Sequence, residues 1–191
     1  MPHFKKSEPD FWRIAPKALA YTQVFAEAVD HKVASFVLGD DDDLEAPLAL
    51  FMNLPPGWVL SRHGHDCHRF EVVIEGSMII DGATLYPGDV STSGRGEEYG
   101  PHMAGPEGVL TLEVFSRQAG MLPVRREGRH GDEAMEQLIS KLRAGLVSPE
   151  AAAADPAIGA WVKAALAEQA DLQEVVRQRS AREQLETAEA G

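Results

Sequence analysis

Gly57-Trp-Val-Leu-Ser-Arg-His63-Gly-His65-Asp-Cys67-His68-Arg69-Phe-Glu71-Val-Val-Ile-Glu75-Gly76 places two histidines two residues apart between spaced glycines. Alternate side chains of a β-strand share a face, so His63 and His65 can both offer an imidazole to one divalent ion at roughly 2.0–2.2 Å. Downstream, Tyr86-Pro-Gly-Asp89 has the composition of a turn, and Tyr99-Gly-Pro-His102 brings a further histidine. Four of the seven histidines therefore fall between residues 57 and 102.

Short runs of strand composition recur on both sides of this stretch. They cover 32–38, 48–54, 58–65, 69–74, 77–80, 83–86, 90–92 and 109–115, most of them followed by turn residues such as Gly39, Pro55, Gly76, Asp81 and Pro87. Strands at intervals of roughly 8–12 residues, with no helical periodicity between them, predict a mainly β sandwich or barrel over residues 32–127. Residues 1–31 read as an N-terminal arm, in which Trp12, Ile14, Leu19, Tyr21, Val24 and Phe25 pack on the outside of the domain. Asp40-Asp-Asp-Asp43 lacks the spaced ligands of a calcium loop and reads as a solvated acidic turn.

Residues 128–191 read as a linker and a C-terminal helical extension. Arg125 to Gly131 is polar and glycine-punctuated, and apolar residues then recur at helical spacing through Ala134, Met135, Leu138, Ile139, Leu142 and Leu146, predicting a helix over 132–147. Ser148-Pro149 and Asp155-Pro156 each read as an N-cap followed by proline at the first helical position. A longer helix follows with an apolar stripe of Ile158, Trp161, Val162, Ala165, Leu166, Leu172, Val175 and Val176; beyond Arg177 it is polar and is expected to fray or project.

The 191 residues carry a formal charge of −12, which disfavours nucleic acid and anionic membranes as partners and leaves small molecules and proteins. A single cysteine, Cys67, excludes an internal disulfide framework. The N-terminus lacks the apolar segment of a signal peptide and no apolar run reaches the ~18–20 residues of a membrane span, so the expected location is the cytoplasm. Apolar helix stripes and strand faces make a homodimer the expected assembly.

Gly57, His63, His65 and Gly76 resemble the first motif of the cupin superfamily, in which Gly, five residues, His-x-His, three or four residues, Glu, six residues and Gly follow in order. The glutamate position holds Arg69. The second cupin motif resembles Gly88-Asp89 and His102, although Ser93-Gly94-Arg95-Gly96 stands where its proline belongs and the loop is longer. The resemblance covers residues 48–117. It implies a single double-stranded β-helix, or jelly-roll, barrel in which His63, His65 and His102 with a carboxylate hold one divalent transition metal: Fe2+, Mn2+, Ni2+ or Zn2+.

Strand parity leaves three readings of the missing glutamate. With Arg69 inward, Glu71 and Val73 share its face, and Glu71 supplies a displaced carboxylate ligand or a proton acceptor. With Phe70, Val72 and Ile74 inward, the site is three histidines, with His68 or Cys67 as a further group. In the third, Arg69 itself binds a substrate carboxylate or enolate, with His68 beside it, against the plainer reading of an Arg69–Glu71 ion pair. Tyr99 is a candidate proton donor or acceptor, and His3, His31 and His130 are assigned no role. The expected function is a metal-dependent enzyme acting on a small oxygenated, anionic molecule. It is read as a dioxygenase with Fe2+ first, because a histidine-rich site with open positions suits that ion, or as a metal-assisted lyase or isomerase. The alternative is a non-catalytic ligand-sensing or binding cupin whose helical tail reports occupancy.

Overall fold

The computed structural model describes residues 2–121, 123–124, 132–144, 146–148, 151–152 and 154–189, so the polar linker at 125–131 lies outside the described residues. Short helical turns at Pro9–Arg13 and Lys17–Leu19 lead into α1 (Ala20–Ala28). The strands are β1 (Lys32–Val37), β2 (Leu48–Leu54), β3 (Val59–Leu60), β4 (Gly64–His65), β5 (Arg69–Ile80), β6 (Ala83–Leu85), β7 (Val90–Ser93), β8 (His102–Phe115) and β9 (Pro123–Val124). Helices α2 (Asp132–Arg143) and α3 (Pro156–Glu189) follow.

All pairings are antiparallel. The main sheet runs β1-β2-β8-β5-β6, with β3 also on β8 and β7 also on β5, while β4 pairs with β9. β5 and β8 are the backbone of the sheet, since each spans two sets of neighbours. The run 69–80 is one strand, not two separated by a turn at Glu75-Gly76. Register shifts at Val73/Glu75 and Gly76/Met78 mark a bulged bend instead. Gly76 (φ 74°) and Gly108 (φ 79°) meet there, and a Cβ at Gly76 would lie 2.1 Å from the Gly108 carbonyl oxygen. Glycine is required at this crossing by both conformation and space.

The run 58–65 breaks into β3 and β4, because the chain leaves β8 after Leu60 and takes up β9 at Gly64. Between them His63 forms an isolated bridge with Tyr99. A Cβ on Gly64 would lie 2.7 Å from the Glu97 carbonyl, so the strand carrying the histidines sits flush against the loop that carries Tyr99.

The N-terminal arm is tied in by Phe11, whose ring contacts Phe36 of β1 and Phe51 of β2, and by the Ser35 N–H donating to the Ile14 carbonyl at 2.8 Å. The four aspartates form an exposed turn, with Asp40 Oδ1 accepting from the Asp42 N–H at 3.0 Å. Leu19, Ala26, Leu48, Leu50, Phe115, Leu138, Ala152 and Ile158 form one core cluster that joins the arm, the sheet and the helical extension.

Asp155 caps α3, with Oδ1 accepting from the Ala157 N–H at 2.8 Å, and Ser148 Oγ accepts from the Ala151 N–H. Helix α3 continues through the polar stretch beyond Arg177 to Glu189, and Arg179 reaches back to Asp81 at 3.7 Å. Its body-facing stripe holds Ile158, Trp161, Val162, Ala165, Leu172 and Val176, while Leu166 and Val175 are exposed. Among the described residues no helix is long and apolar enough to cross a membrane.

Gly57 and Gly76 supply a matched test. Gly57 also has positive φ (70°), but the nearest atom to an added Cβ is 3.8 Å away. Gly57→Ala is expected to cost about 1–2 kcal/mol, and Gly76→Ala about 3 kcal/mol or more because backbone must also move, measured by urea unfolding.

Candidate functional site

Burial along β5 settles the parity question. Arg69 (3 % exposed), Glu71 (0 %) and Val73 (1 %) face inward, and Phe70 (42 %) and Ile74 (38 %) face outward. Polar groups occupy the inner face because they neutralise one another. Glu71 and Glu113 are direct register partners on β5 and β8, and two carboxylates placed opposite would repel. Arg69 lies between them, with Nε donating to Glu113 Oε2 at 2.5 Å and Nη2 at 2.6 Å from Glu71 Oε2. Ser91 Oγ donates to Glu71 Oε2 at 3.0 Å. Burial opposes the Arg69 charge, but Glu113 and Glu71 outweigh it and hold the guanidinium protonated. Burial, opposed by Arg69 and reinforced by Glu71, pushes the Glu113 carboxyl up to about 7.

Above this triad the Tyr99 ring lies 4.5 Å from the Arg69 guanidinium carbon. Its hydroxyl oxygen is 2.8 Å from His65 Nε2 and 3.3 Å from His63 Nε2. Burial raises the phenol well above its ordinary range, so it stays protonated, and its single proton can go to one imidazole at a time. His63 Nδ1 donates to the Ser61 carbonyl at 2.6 Å, which leaves Nε2 as the lone-pair nitrogen of the neutral ring. His65 rests edge-on against Phe115. His102 lies beside His63, with ring centroids 5.6 Å apart, and its two nitrogens have no hydrogen-bond partner among the described residues. Burial, and then His63, Arg69 and His65, hold its pKa well below the usual histidine value, so the ring is neutral.

His63, His65, His102, Tyr99 and Glu113 line one cavity of about 190 Å³. Leu50 and Met52 of β2, Trp58, Val59 and Leu60, and Phe115 form its walls. Helix α3 roofs it with Trp161, Ala164, Ala165, Gln169 and Leu172. The Gln169 side-chain amide binds the Val59 backbone twice, accepting from N–H at 2.8 Å and donating to C=O at 2.7 Å, as a neighbouring strand would. Gln173 Nε2 donates to the Gly57 carbonyl at 2.9 Å.

The structure brings together His63, His65, His102 and Tyr99, but not the other candidates. Glu71 is inward yet is held by Arg69 and Ser91 and does not line the cavity; the carboxylates at its wall are Glu113 of β8 and Glu168 of α3. Arg69 lies beneath Tyr99, engaged by two carboxylates, and is not a cavity group open to a substrate anion. His68 is exposed outside the cavity, because it is out of phase with the inward face, and Cys67 is a buried thiol raised by burial. Glu113 was missed, although a lone carboxylate within Val109-Leu-Thr-Leu-Glu-Val-Phe115 was its signal. Gln169 had none, since only tertiary packing makes it a pairing group.

In donor chemistry these residues fit a divalent transition metal: three imidazoles, one oriented by a backbone carbonyl and one with both nitrogens unmatched among the described residues. Their arrangement is not closed around an ion. Among the described residues no three His, Cys, Asp or Glu side chains are placed to hold one, and the Tyr99 oxygen stands where the Nε2 atoms of His63 and His65 converge.

No protein-family model and no curated protein matches the sequence. Solved structures do. An RmlC-like cupin from Ralstonia eutropha matches with TM-score 0.42 and 17 % identity over 60 % of this chain and 76 % of that one. Bacillus subtilis oxalate decarboxylase, in a structure concerned with its Mn(II) centres, matches with TM-score 0.43 and 16 % identity over 56 % of this chain and 32 % of that one. The Rhodobacter sphaeroides complex of SigE with the anti-sigma ChrR matches with TM-score 0.38 and 17 % identity over 44 % of each chain. The chain thus spans less than half the length of the latter two. The chain itself is a mainly antiparallel β domain extended by a C-terminal helix.

Two outcomes are expected. Arg69→Met leaves two buried carboxylates facing each other and is expected to lower stability by about 3–5 kcal/mol in urea unfolding, with Glu113→Gln costing less. His31, packed edge-on against Trp58, has its pKa lowered to about 4 by burial, against the opposing pull of Asp30. Between pH 6.5 and 4 the unfolded chain gains a proton there that the native state refuses, so this group lowers stability as pH falls. The His31→Phe variant is therefore expected to lose less Tm than the natural chain between pH 6.5 and 4.5, since other titrating groups are common to both.

Proposed function

We propose that this chain is a metal-dependent cupin enzyme in which His63, His65 and His102 hold a divalent transition metal beside the cavity, where a small oxygenated organic molecule binds. The observation that carries the reading is His102: a fully buried imidazole with both nitrogens unmatched among the described residues, facing two further imidazoles across one cavity. Leaving such a group without partners costs about 1–3 kcal/mol, which a bound ion would offset. Imidazole donors suit Fe2+ first, with Mn2+, Ni2+ and Zn2+ as the other options. When bound, such an ion acts as a Lewis acid on a substrate oxygen.

The remaining work falls to the chain itself. Ser61 fixes the His63 tautomer, so its Nε2 lone pair faces the cavity. The Tyr99 hydroxyl must swing away from His63 and His65 for both to engage an ion, and it then carries a proton beside the substrate site. Glu113 lines the cavity and burial raises its carboxyl above the ordinary range, so it takes the acid–base role first read for Glu71. The walls and the α3 roof surround the site with mainly apolar surface. Oxygenase chemistry is the leading reaction class, followed by lyase or isomerase chemistry. One observation favours a ligand-sensing reading instead: Gln169 and Gln173 of the roof grip the strand that leads directly to His63, so occupancy would be felt along α3.

Metal analysis of protein purified without added metal tests the proposal. The natural chain is expected to hold close to one equivalent, and His63→Ala and His102→Ala far less. Equal content in all three would sink the metal site and leave the sensing reading.

A further inference from the structure

The cavity walls select a class of ligand, and this inference rests on the reading above only in taking the cavity as the ligand site; it does not need the metal. His63, His65, His102 and the Tyr99 hydroxyl line it, and most of the remaining surface is apolar, with Trp58, Phe115 and Trp161 supplying aromatic side chains. Among the described residues no lysine or arginine lines the cavity; the charged lining groups are Glu113 and Glu168. The guanidinium below, Arg69, is engaged by Glu113 and Glu71. An anion would lose its hydration and meet carboxylates in exchange, in a chain of formal charge −12. A cation would be stripped of water by the same apolar walls, and Glu113 already faces Arg69. The volume, about 190 Å³, suits one ring, since a dry apolar cavity of about 150 Å³ accepts benzene.

We infer that the cavity takes an uncharged single-ring molecule, its apolar body between Trp58 and Trp161 and one oxygen function directed at the histidines and Tyr99. This replaces the anionic substrate expected from the sequence, because the arginine that would have received it is already paired.

The test uses three probes of matched shape, 4-methylphenol, 4-methylbenzoate and 4-methylbenzylammonium, titrated at pH 7.5 by calorimetry and tryptophan fluorescence into the full chain, as purified and after chelator treatment. 4-Methylphenol is expected to bind at least about tenfold more tightly than either ion in the chelator-treated chain, the preparation that decides the test because no divalent ion there attracts the benzoate. Ala165→Trp from the roof and Met52→Trp from the sheet both fill the cavity, and whichever retains the native circular dichroism is expected to weaken that binding at least about tenfold. Equal or tighter binding of the benzoate or the ammonium in that preparation, no binding of any probe, or unchanged affinity in the filled variants would overturn the inference. Metal content is measured separately, so loss of the metal reading leaves the result in chelated protein standing, and the reverse holds.

Discussion

Glu71 and Glu113 face each other across the central β5–β8 pair, fully inside the protein, and the arrangement holds only because the Arg69 guanidinium sits between them. The three groups join the two longest strands of the sheet at the floor of the cavity. They also hold up the Tyr99 ring, which covers the guanidinium face and aims its hydroxyl at His63 and His65. Removing one member of such a set leaves an unpaired buried charge, a far larger cost than loss of one surface pair. The site above the triad inherits its geometry from it.

That arrangement also reassigns the polar groups of the cavity. In the family pattern which the chain resembles, an acidic residue at position 69 belongs to the metal. Here the position carries a cation, and a carboxylate at the cavity wall comes from Glu113 on the facing strand. The arginine is consumed by the floor of the site, which leaves a chamber of mainly aromatic and aliphatic surface with the histidines, Tyr99 and two carboxylates as its polar groups. Electrostatics of this kind favour ligands recognised by shape and a single polar contact.

The helical extension completes the chamber instead of decorating it. Gln169 presents its amide to Val59 as a strand would, giving the short β3 a partner for both backbone groups on the side away from β8. The same helix face carries Trp161, Ala165 and Leu172 into the cavity. Position of the roof and position of β3, which leads into the segment carrying His63 and His65, are therefore mechanically linked, and the extension shares a core with the arm through Leu19, Leu138 and Ile158.

Local patterns were enough to mark the β-rich middle, the helical end and the grouping of His63, His65 and His102, with Tyr99 as a candidate beside them, because strand period, turn chemistry and capping act over a few residues. The same local signals misread Glu75-Gly76 as a turn: a glycine with positive φ serves a bulge equally well, and the choice depends on Gly108 across the sheet. They left the face of Arg69 and Glu71 open and passed over Glu113, since burying a charge becomes favourable only when its partner arrives from forty-four residues away. The sequence by itself determined which residues the site draws on. Only the tertiary structure decided which are paired off, which line the cavity and what closes it, because those outcomes depend on charge pairing and packing between strands and a helix distant along the chain.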